Sequence, residues 1–150
     1  MVKNSFIHHL TKVLIDIMFY GGIAACIALP FLLSRLMGYI GHSDRMFVPN
    51  LIVLLLSGIF SVYIAYQLKA MFKTLLGGNP FVVENVSCLR KCAVASALIS
   101  IVYLVRILIW FTISSTVIAL IFVLLALFLL TLKDVFKQAI AYKEENDWTV

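Results

Sequence analysis

The sequence predicts an all-α integral membrane protein with four transmembrane helices. Hydrophobic residues make up 63% of the chain and charged residues 13%, against about 25% charged residues in an average soluble protein. The longest apolar run, residues 93–132, contains Arg106 as its only charge. As a single helix this run would be about 60 Å long, roughly twice the hydrocarbon thickness of a bilayer. It must therefore fold back on itself as a membrane hairpin, and the polar cluster at residues 112–116 is its predicted turn.

Two further apolar runs precede the hairpin and complete the set of four helices. The predicted spans cover about residues 13–33, 46–68, 93–111 and 117–132 of a single membrane domain, residues 1–150. The runs are apolar throughout and do not alternate with period two, which excludes a closed β-barrel. We expect the four helices to pack as a bundle.

The first apolar run could be mistaken for a cleaved signal. It contains Ile23-Ala24-Ala25-Cys26, which resembles a lipoprotein cleavage box. The run continues without polar residues through 27–33, however, where a lipoprotein would become polar. We therefore expect this segment to be retained as the first span.

Lysine and arginine residues define the predicted orientation. With the N-terminus inside, nine of the twelve basic residues fall in cytoplasmic segments, and only Arg35 and Arg45 fall in outer loops. Both termini are therefore predicted to be cytoplasmic. The net charge of +5 is therefore a signal of topology and of contact with the lipid bilayer surface, and we expect no direct binding of nucleic acid.

The first span carries small residues suited to helix packing. Gly21, Ala24, Ala25 and Ala28 fall on one side of the helix, where small side chains let a neighbouring backbone approach closely. Pro30 should kink the outer third of this helix because it removes an internal hydrogen bond. Residues 34–45 are rich in glycine and polar residues and are predicted to form the longer outer loop.

A cytoplasmic elbow is predicted between the second and third spans. The second helix should continue beyond the membrane to Gly77-Gly78, which provides a left-handed stop. Asn79 is then the predicted cap of the next helix, and Pro80 is its first residue. Residues 84–91 should form a short helical lead into the third span.

The fourth span is predicted to leave the bilayer as an amphipathic helix over residues 133–145. Phe136 and Ile140 should face the elbow or the lipid surface. Residues 146–150 are predicted to follow without helical continuation. Within them, Trp148 could anchor a partner, or it could rest at the lipid headgroups as interfacial tryptophans do.

Asp16 and Arg106 are the charged residues inside predicted spans, and such residues invite a functional hypothesis. The alternative for Asp16 is an ion pair with Lys12, one helical turn earlier. An Asp16–Arg106 pair is excluded because the two residues lie roughly 5 Å and 20 Å from the inner edge. For Arg106, the alternatives to a ligand site are snorkelling to the outer surface and cation–π contact with Tyr103 or Trp110.

No combination of residues points to catalysis. The sequence has no phosphate-binding loop, no pair of intramembrane carboxylates and no zinc-protease motif. Cys88 and Cys92 are four residues apart, but His8, His9 and His42 are not spaced to complete a zinc site. We therefore expect no enzymatic activity, no metal and no other cofactor.

The elbow and the C-terminal run resemble a known family. The resemblance covers nearly the whole chain, and its motifs are Asn79-Pro80-Phe81, Glu84-Asn85-Val86, Leu89-Arg90 and the terminal sequence KEENDWTV. They are similar to a bacterial family of small four-span membrane proteins, catalogued as domain of unknown function twenty-nine seventy-five. The resemblance implies residence in the bacterial cytoplasmic (inner) membrane.

This chain departs from that family at two positions. Members commonly carry a Ser or Thr helix cap where this chain has Val82, which would move the cap to Asn79. They usually carry Leu where this chain has Trp148. Because such proteins tend to be encoded beside a small helix-turn-helix regulator, the resemblance also implies a membrane-bound regulatory partner.

Two functions from different classes remain open. The first is a non-enzymatic regulator or adaptor that engages a cytoplasmic protein, for which a small helix-turn-helix regulator is a candidate. The alternative is a subunit of a small transporter or channel that uses Asp16 and Arg106, and a homo-oligomer is compatible with both. The candidate partner-binding residues are Asn79, Pro80, Phe81, Glu84, Asn85, Arg90, Glu144, Glu145, Asp147 and Trp148.

Overall fold

Four long helices make up most of the computed structural model, which describes residues 6–40 and 47–148. They are α1 (Phe6–Ile40), α2 (Phe47–Leu76), α3 (Val83–Ile109) and α4 (Ile113–Trp148). Each contains a stretch long and apolar enough to cross a membrane. About 20 residues suffice for a crossing, and the shortest helix, α3, has 27. The predicted all-helical membrane class and its four membrane-length helices are confirmed.

The helices pack in the order of the chain. α1 packs against α2, α2 against α3, and α3 against α4, whereas no other pair of these helices comes within 8 Å between Cα atoms. The arrangement is therefore an open row rather than the expected bundle, in which α1 and α4 would also meet. α1 lies at one end of the row, and no side chain described in it is buried.

α3 provides the centre of the packing. Leu89, Cys92 and Ile99 lie on one stripe of this helix and are at most 1% exposed. Small residues around them let the neighbouring helices approach closely. Ser100 adds a hydrogen bond across the interface, because its hydroxyl donates to the Ala119 carbonyl of α4 at 3.1 Å.

The α1–α2 contact uses glycines that the sequence analysis did not select. A Cβ atom at Gly58 would lie 2.7 Å from Cys26 Sγ, and one at Gly22 would lie 2.9 Å from Val62 Cγ2. The predicted packing side of α1 was wrong, since Gly21 has nothing within 4 Å of the corresponding position. Adjacent residues on a helix are about 100° apart, so a change of one position selects another face.

Several loop boundaries also differ from the prediction. Residues 34–40 of the predicted outer loop belong to α1, and positions 41–46 lie outside the described residues. The turn of the α3–α4 hairpin falls at residues 110–112, so Ser114–Thr116 open α4 and do not form the turn. α4 continues to Trp148, so the predicted end of helix before residue 146 was wrong.

Candidate functional site

The turn between α2 and α3 is fixed by its own backbone. Gly78 has φ 82°, a left-handed conformation that glycine adopts without a side-chain clash. The amide of Gly78 donates to the Leu75 carbonyl at 3.1 Å, and that of Asn79 donates to the Thr74 carbonyl at 3.4 Å. This pair of bonds around a left-handed glycine is a common way to end a helix. We call the end of the molecule that carries this turn the turn end.

The predicted cap of α3 was wrong. The helix begins at Val83, and its N-cap is Val82, whose side chain makes no capping hydrogen bond. Asn79 lies too early in the chain to cap α3, and its side-chain oxygen instead accepts a hydrogen bond from Lys143 Nζ at 3.1 Å. The cap position of α3 therefore lacks the side-chain oxygen that usually satisfies a free helix amide.

The side chain of Asn85 connects the segments of the turn by hydrogen bonds. It is 2% exposed, and its Nδ2 donates to the Thr74 hydroxyl and to the Pro80 carbonyl, each at 2.7 Å. The Thr74 hydroxyl in turn can donate to the Met71 carbonyl at 2.7 Å. One buried amide thus connects the end of α2, the turn and the start of α3.

The last part of α4 lies against the turn. The rings of Phe81 and Phe136 are 5.3 Å apart and tilted by 52°, and Phe136 also packs against the buried cluster that contains Leu89. The Lys143–Asn79 hydrogen bond adds a polar contact two turns further along α4. We call residues 77–82 and 133–148 together the turn–tail surface.

The structure brings some of the candidate partner-binding residues together and separates others. Asn79, Pro80 and Phe81 lie in the turn, and Asn85 is buried beside it at the start of α3. Arg90 lies apart from the tail, in a groove lined only by α2 and α3. The remaining candidates are all exposed, with Trp148 reaching 90%: Glu84, Glu144, Glu145, Asp147 and Trp148.

Asp16 forms an ion pair across helices. Among the described residues its partner is on α2, and the pair with Lys12 that the sequence suggested is not formed. Its Oδ1 lies 2.8 Å from Lys69 Nζ on α2. The same ammonium group lies 3.4 Å from the Tyr20 hydroxyl and 4.8 Å from the centre of that ring. The sequence did carry a signal for this pair, because Asp16 and Lys69 are similarly far from the α1–α2 connection in an antiparallel hairpin.

Arg106 also finds its partner on a neighbouring helix. Its Nη1 donates to Asn50 Oδ1 of α2 at 2.6 Å. Within residues 6–40 and 47–148, the cation–π contact with Tyr103 or Trp110, one of the alternatives considered for Arg106, is not formed. Arg106 lies in the last turn of α3, away from the turn end, whereas Asp16 pairs near the turn end. The two intramembrane charges therefore do not form one site.

The cysteines of the described chain are free thiols, and Cys88 and Cys92 are buried. Cys92 Sγ points towards the Ile64 carbonyl of α2 at 4.0 Å, a packing contact. Within residues 6–40 and 47–148, no group of three His, Cys, Asp or Glu side chains could hold a metal ion. Cys92 therefore contributes to the α2–α3 interface.

Comparison with known proteins identifies the family of the chain. No curated protein and no solved structure matches it. A family model described as "Protein of unknown function (DUF2975)" matches residues 11–150. That range includes all of α2, α3 and α4, and all but the first turn or so of α1. The chain therefore belongs to the DUF2975 family.

Proposed function

We propose that this protein is a non-enzymatic membrane adaptor or regulator that binds a cytoplasmic protein through the turn–tail surface. The observation that carries the proposal is the contact of the tail with the turn, through Phe81–Phe136 and Lys143–Asn79. The two polar segments of the chain therefore form one surface of fixed geometry. A fixed surface binds a partner with a smaller loss of conformational entropy than two independent segments would.

The charge distribution supports a cytoplasmic location for this surface. Ten lysine and arginine residues lie in the described chain, and eight of them lie near the turn end. Arg35 and Arg106 are the two that do not. Positive residues are enriched on the cytoplasmic side of bacterial and other membrane proteins. The proposed surface would therefore face soluble cytoplasmic partners.

The tip of the tail suggests the chemistry of the partner. Glu144, Glu145 and Asp147 are exposed acids within one turn of Trp148, which is 90% exposed. Exposed tryptophan is a frequent anchor of protein interfaces, and the acids favour a partner with a basic face. A small helix-turn-helix regulator would provide such a face, since DNA-binding proteins carry basic surfaces.

The transporter or channel alternative receives less support from the geometry. Asp16 and Arg106 bind Lys69 and Asn50 respectively, at different depths and in different helix pairs. Secondary transporters build their sites from polar groups that converge near the middle of the membrane. Asp16→Asn and Arg106→Gln should abolish activity in a transporter, whereas an adaptor with these changes should still capture its partner.

The test of the adaptor role is capture of a cytoplasmic protein by the intact chain in mild detergent. The first candidate to examine is a helix-turn-helix regulator encoded beside it. Deletion of residues 146–150, or Trp148→Ala, should weaken capture by roughly 30-fold, the size expected for an interface anchor. Trp110→Ala is the matched control, because Trp110 is 58% exposed in the α3–α4 turn. Equal capture by the truncated and full-length proteins would contradict the proposed role of the tail.

A further inference from the structure

A groove runs between α2 and α3 on a face that α1 and α4 do not line. Its volume is about 460 Å³. Tyr63 lies on its α2 side, and Val94 and Leu98 line its apolar part on α3. Ser87, Arg90 and Lys91 line the end nearest the turn. The groove therefore joins a polar, basic mouth to an apolar channel.

The basic mouth lies at the depth of lipid headgroups. Arg90 and Lys91 directly precede the apolar run that begins near residue 92, so they mark its boundary with water. Both side chains belong to exposed residues. Within the described part of the chain, neither forms an ion pair. Two uncompensated positive charges beside a hydroxyl group are suited to binding a phosphate.

The length of the groove fits within one leaflet. Ser87 and Leu98 are eleven residues apart on α3, which corresponds to about 16 Å along the helix axis. One leaflet of a bilayer, with its headgroup region included, is about 20 Å thick, so the groove covers the headgroup level and the adjoining part of the hydrocarbon. A phospholipid with its phosphate at Arg90 and Lys91 could therefore lay one acyl chain along Val94 and Leu98.

We propose that this groove is a binding site for one anionic phospholipid in the leaflet at the turn end. Ser87, Arg90 and Lys91 would hold the headgroup phosphate, and the α2–α3 channel would hold an acyl chain. Basic pockets between transmembrane helices at the cytoplasmic side are known to take anionic headgroups in this way. The proposal does not depend on the adaptor role, since it involves neither the turn–tail surface nor a protein partner.

The test is native mass spectrometry of the full-length protein in mild detergent with added lipid. Phosphatidylglycerol, phosphatidylethanolamine and phosphatidylcholine with identical acyl chains are compared, and inorganic phosphate is added in a separate arm. We expect phosphatidylglycerol to be retained most strongly, in a ratio of one lipid per chain. Equal retention of the three lipids, or binding of inorganic phosphate as strong as that of phosphatidylglycerol, would overturn the proposal.

Two pairs of variants separate the groove from general surface attraction. Arg90→Gln combined with Lys91→Gln should weaken phosphatidylglycerol binding by roughly 30-fold, since each basic residue contributes a factor of about five near an anionic lipid. Lys73→Gln combined with Lys137→Gln removes the same charge at exposed positions outside the groove. That control should change binding by about twofold or less, because it leaves the phosphate contacts intact. Equal losses in the two double variants would overturn the site.

The second pair fills the channel without changing charge. Val94→Trp should expel the acyl chain and weaken binding, whereas Val105→Trp on the same helix should not. The two valines are 53% and 50% exposed, so both replacements add a ring to a lipid-facing position. Retention of phosphatidylglycerol by Val94→Trp at the level of Val105→Trp would show that the groove holds no acyl chain.

Discussion

The buried side chain of Asn85 is joined to Thr74 across the α2–α3 turn by a 2.7 Å hydrogen bond. This hydrogen bond gives Asn85 a structural role, although the sequence placed the residue among the partner-binding candidates. A side chain that is 2% exposed cannot contact a partner directly. Asn85 acts by holding the turn in the shape that the tail packs against.

Replacing this amide should destabilise the protein. Asn85→Ala leaves the Thr74 hydroxyl and the Pro80 carbonyl with fewer partners in a partly buried position. We expect a loss of about 1–3 kcal/mol in the free energy of unfolding, measured by titration with sodium dodecyl sulfate and circular dichroism. The control Asn79→Ala changes an exposed side chain and should cost about 0.5 kcal/mol or less. Similar losses for the two variants would contradict the role assigned to Asn85.

The two glycines of the turn should respond differently to alanine. Gly78→Ala forces a Cβ into a left-handed conformation with φ 82°, at a cost of roughly 1–2 kcal/mol. Gly77 has no positive φ, and a Cβ there would lie 3.4 Å from the Thr74 carbonyl, an ordinary contact. Gly77→Ala should therefore be close to neutral in the same unfolding titration. A larger loss for Gly77→Ala than for Gly78→Ala would rule out this turn geometry.

The missing cap of α3 offers a stabilising substitution. Val82→Thr places a hydroxyl at the N-cap, where the backbone is already extended with φ −126° and ψ 151°. We expect the free energy of unfolding to rise by about 1 kcal/mol, because a side-chain oxygen can accept a free helix amide. Val83→Thr, one residue inside the helix, is the control and should bring no gain. Equal effects at the two positions would place the start of α3 elsewhere.

The α1–α2 contact should fail when its glycine is enlarged. Gly58→Val would drive a side chain into Cys26 Sγ, which already lies 2.7 Å from the position of a Cβ. α1 should then separate from α2, because α2 is the only described helix that it packs against. Limited proteolysis of the α1–α2 connection in mild detergent would detect the change as faster cleavage. Gly21→Val faces open space and should leave the cleavage rate unchanged; an equal rate in both variants would argue against this interface.

A double-mutant cycle can decide between Lys12, the partner that the sequence suggested for Asp16, and Lys69, its partner in the structure. The cycle of Asp16→Asn with Lys69→Met should give a measurable but small coupling energy, because the side chains are 33% and 40% exposed and solvent screens the pair. The cycle of Asp16→Asn with Lys12→Met should give none. Coupling to Lys12 without coupling to Lys69 would contradict the interhelical pair.

The helices and the glycine stop were predictable because they depend on local sequence. Apolar runs longer than a bilayer define helices without knowledge of their neighbours, and Gly78 occupies a position that few other residues tolerate. The partner of Asp16 was not predictable in this way. Whether Asp16 pairs with Lys12 or with Lys69 depends on how the antiparallel helices α1 and α2 are placed relative to each other.

The cap of α3 and the packing face of α1 were missed for a related reason. Asparagine is a favoured N-cap residue, but the turn keeps the chain non-helical up to Val82. Asn79 contacts Lys143 instead. On α1, the small residues Gly21 and Gly22 are equally suited to close packing. Only the position of Val62 on α2 selects Gly22.

The turn and the tail of α4 form one surface, and crosslinking of paired cysteines with a short bismaleimide in native membranes tests this contact most directly. Asn79→Cys combined with Lys143→Cys should crosslink rapidly, because the ends of the native side chains lie 3.1 Å apart and the linker replaces the length of the lysine side chain. Lys137 is exposed on the same tail but lies six residues earlier, about 9 Å back along the helix axis, so Asn79→Cys combined with Lys137→Cys should crosslink much more slowly. The native Cys88 and Cys92 are buried, and Cys26→Ala in both variants removes the third thiol of the described chain. Equal crosslinking rates for the two pairs would show that the tail does not rest on the turn.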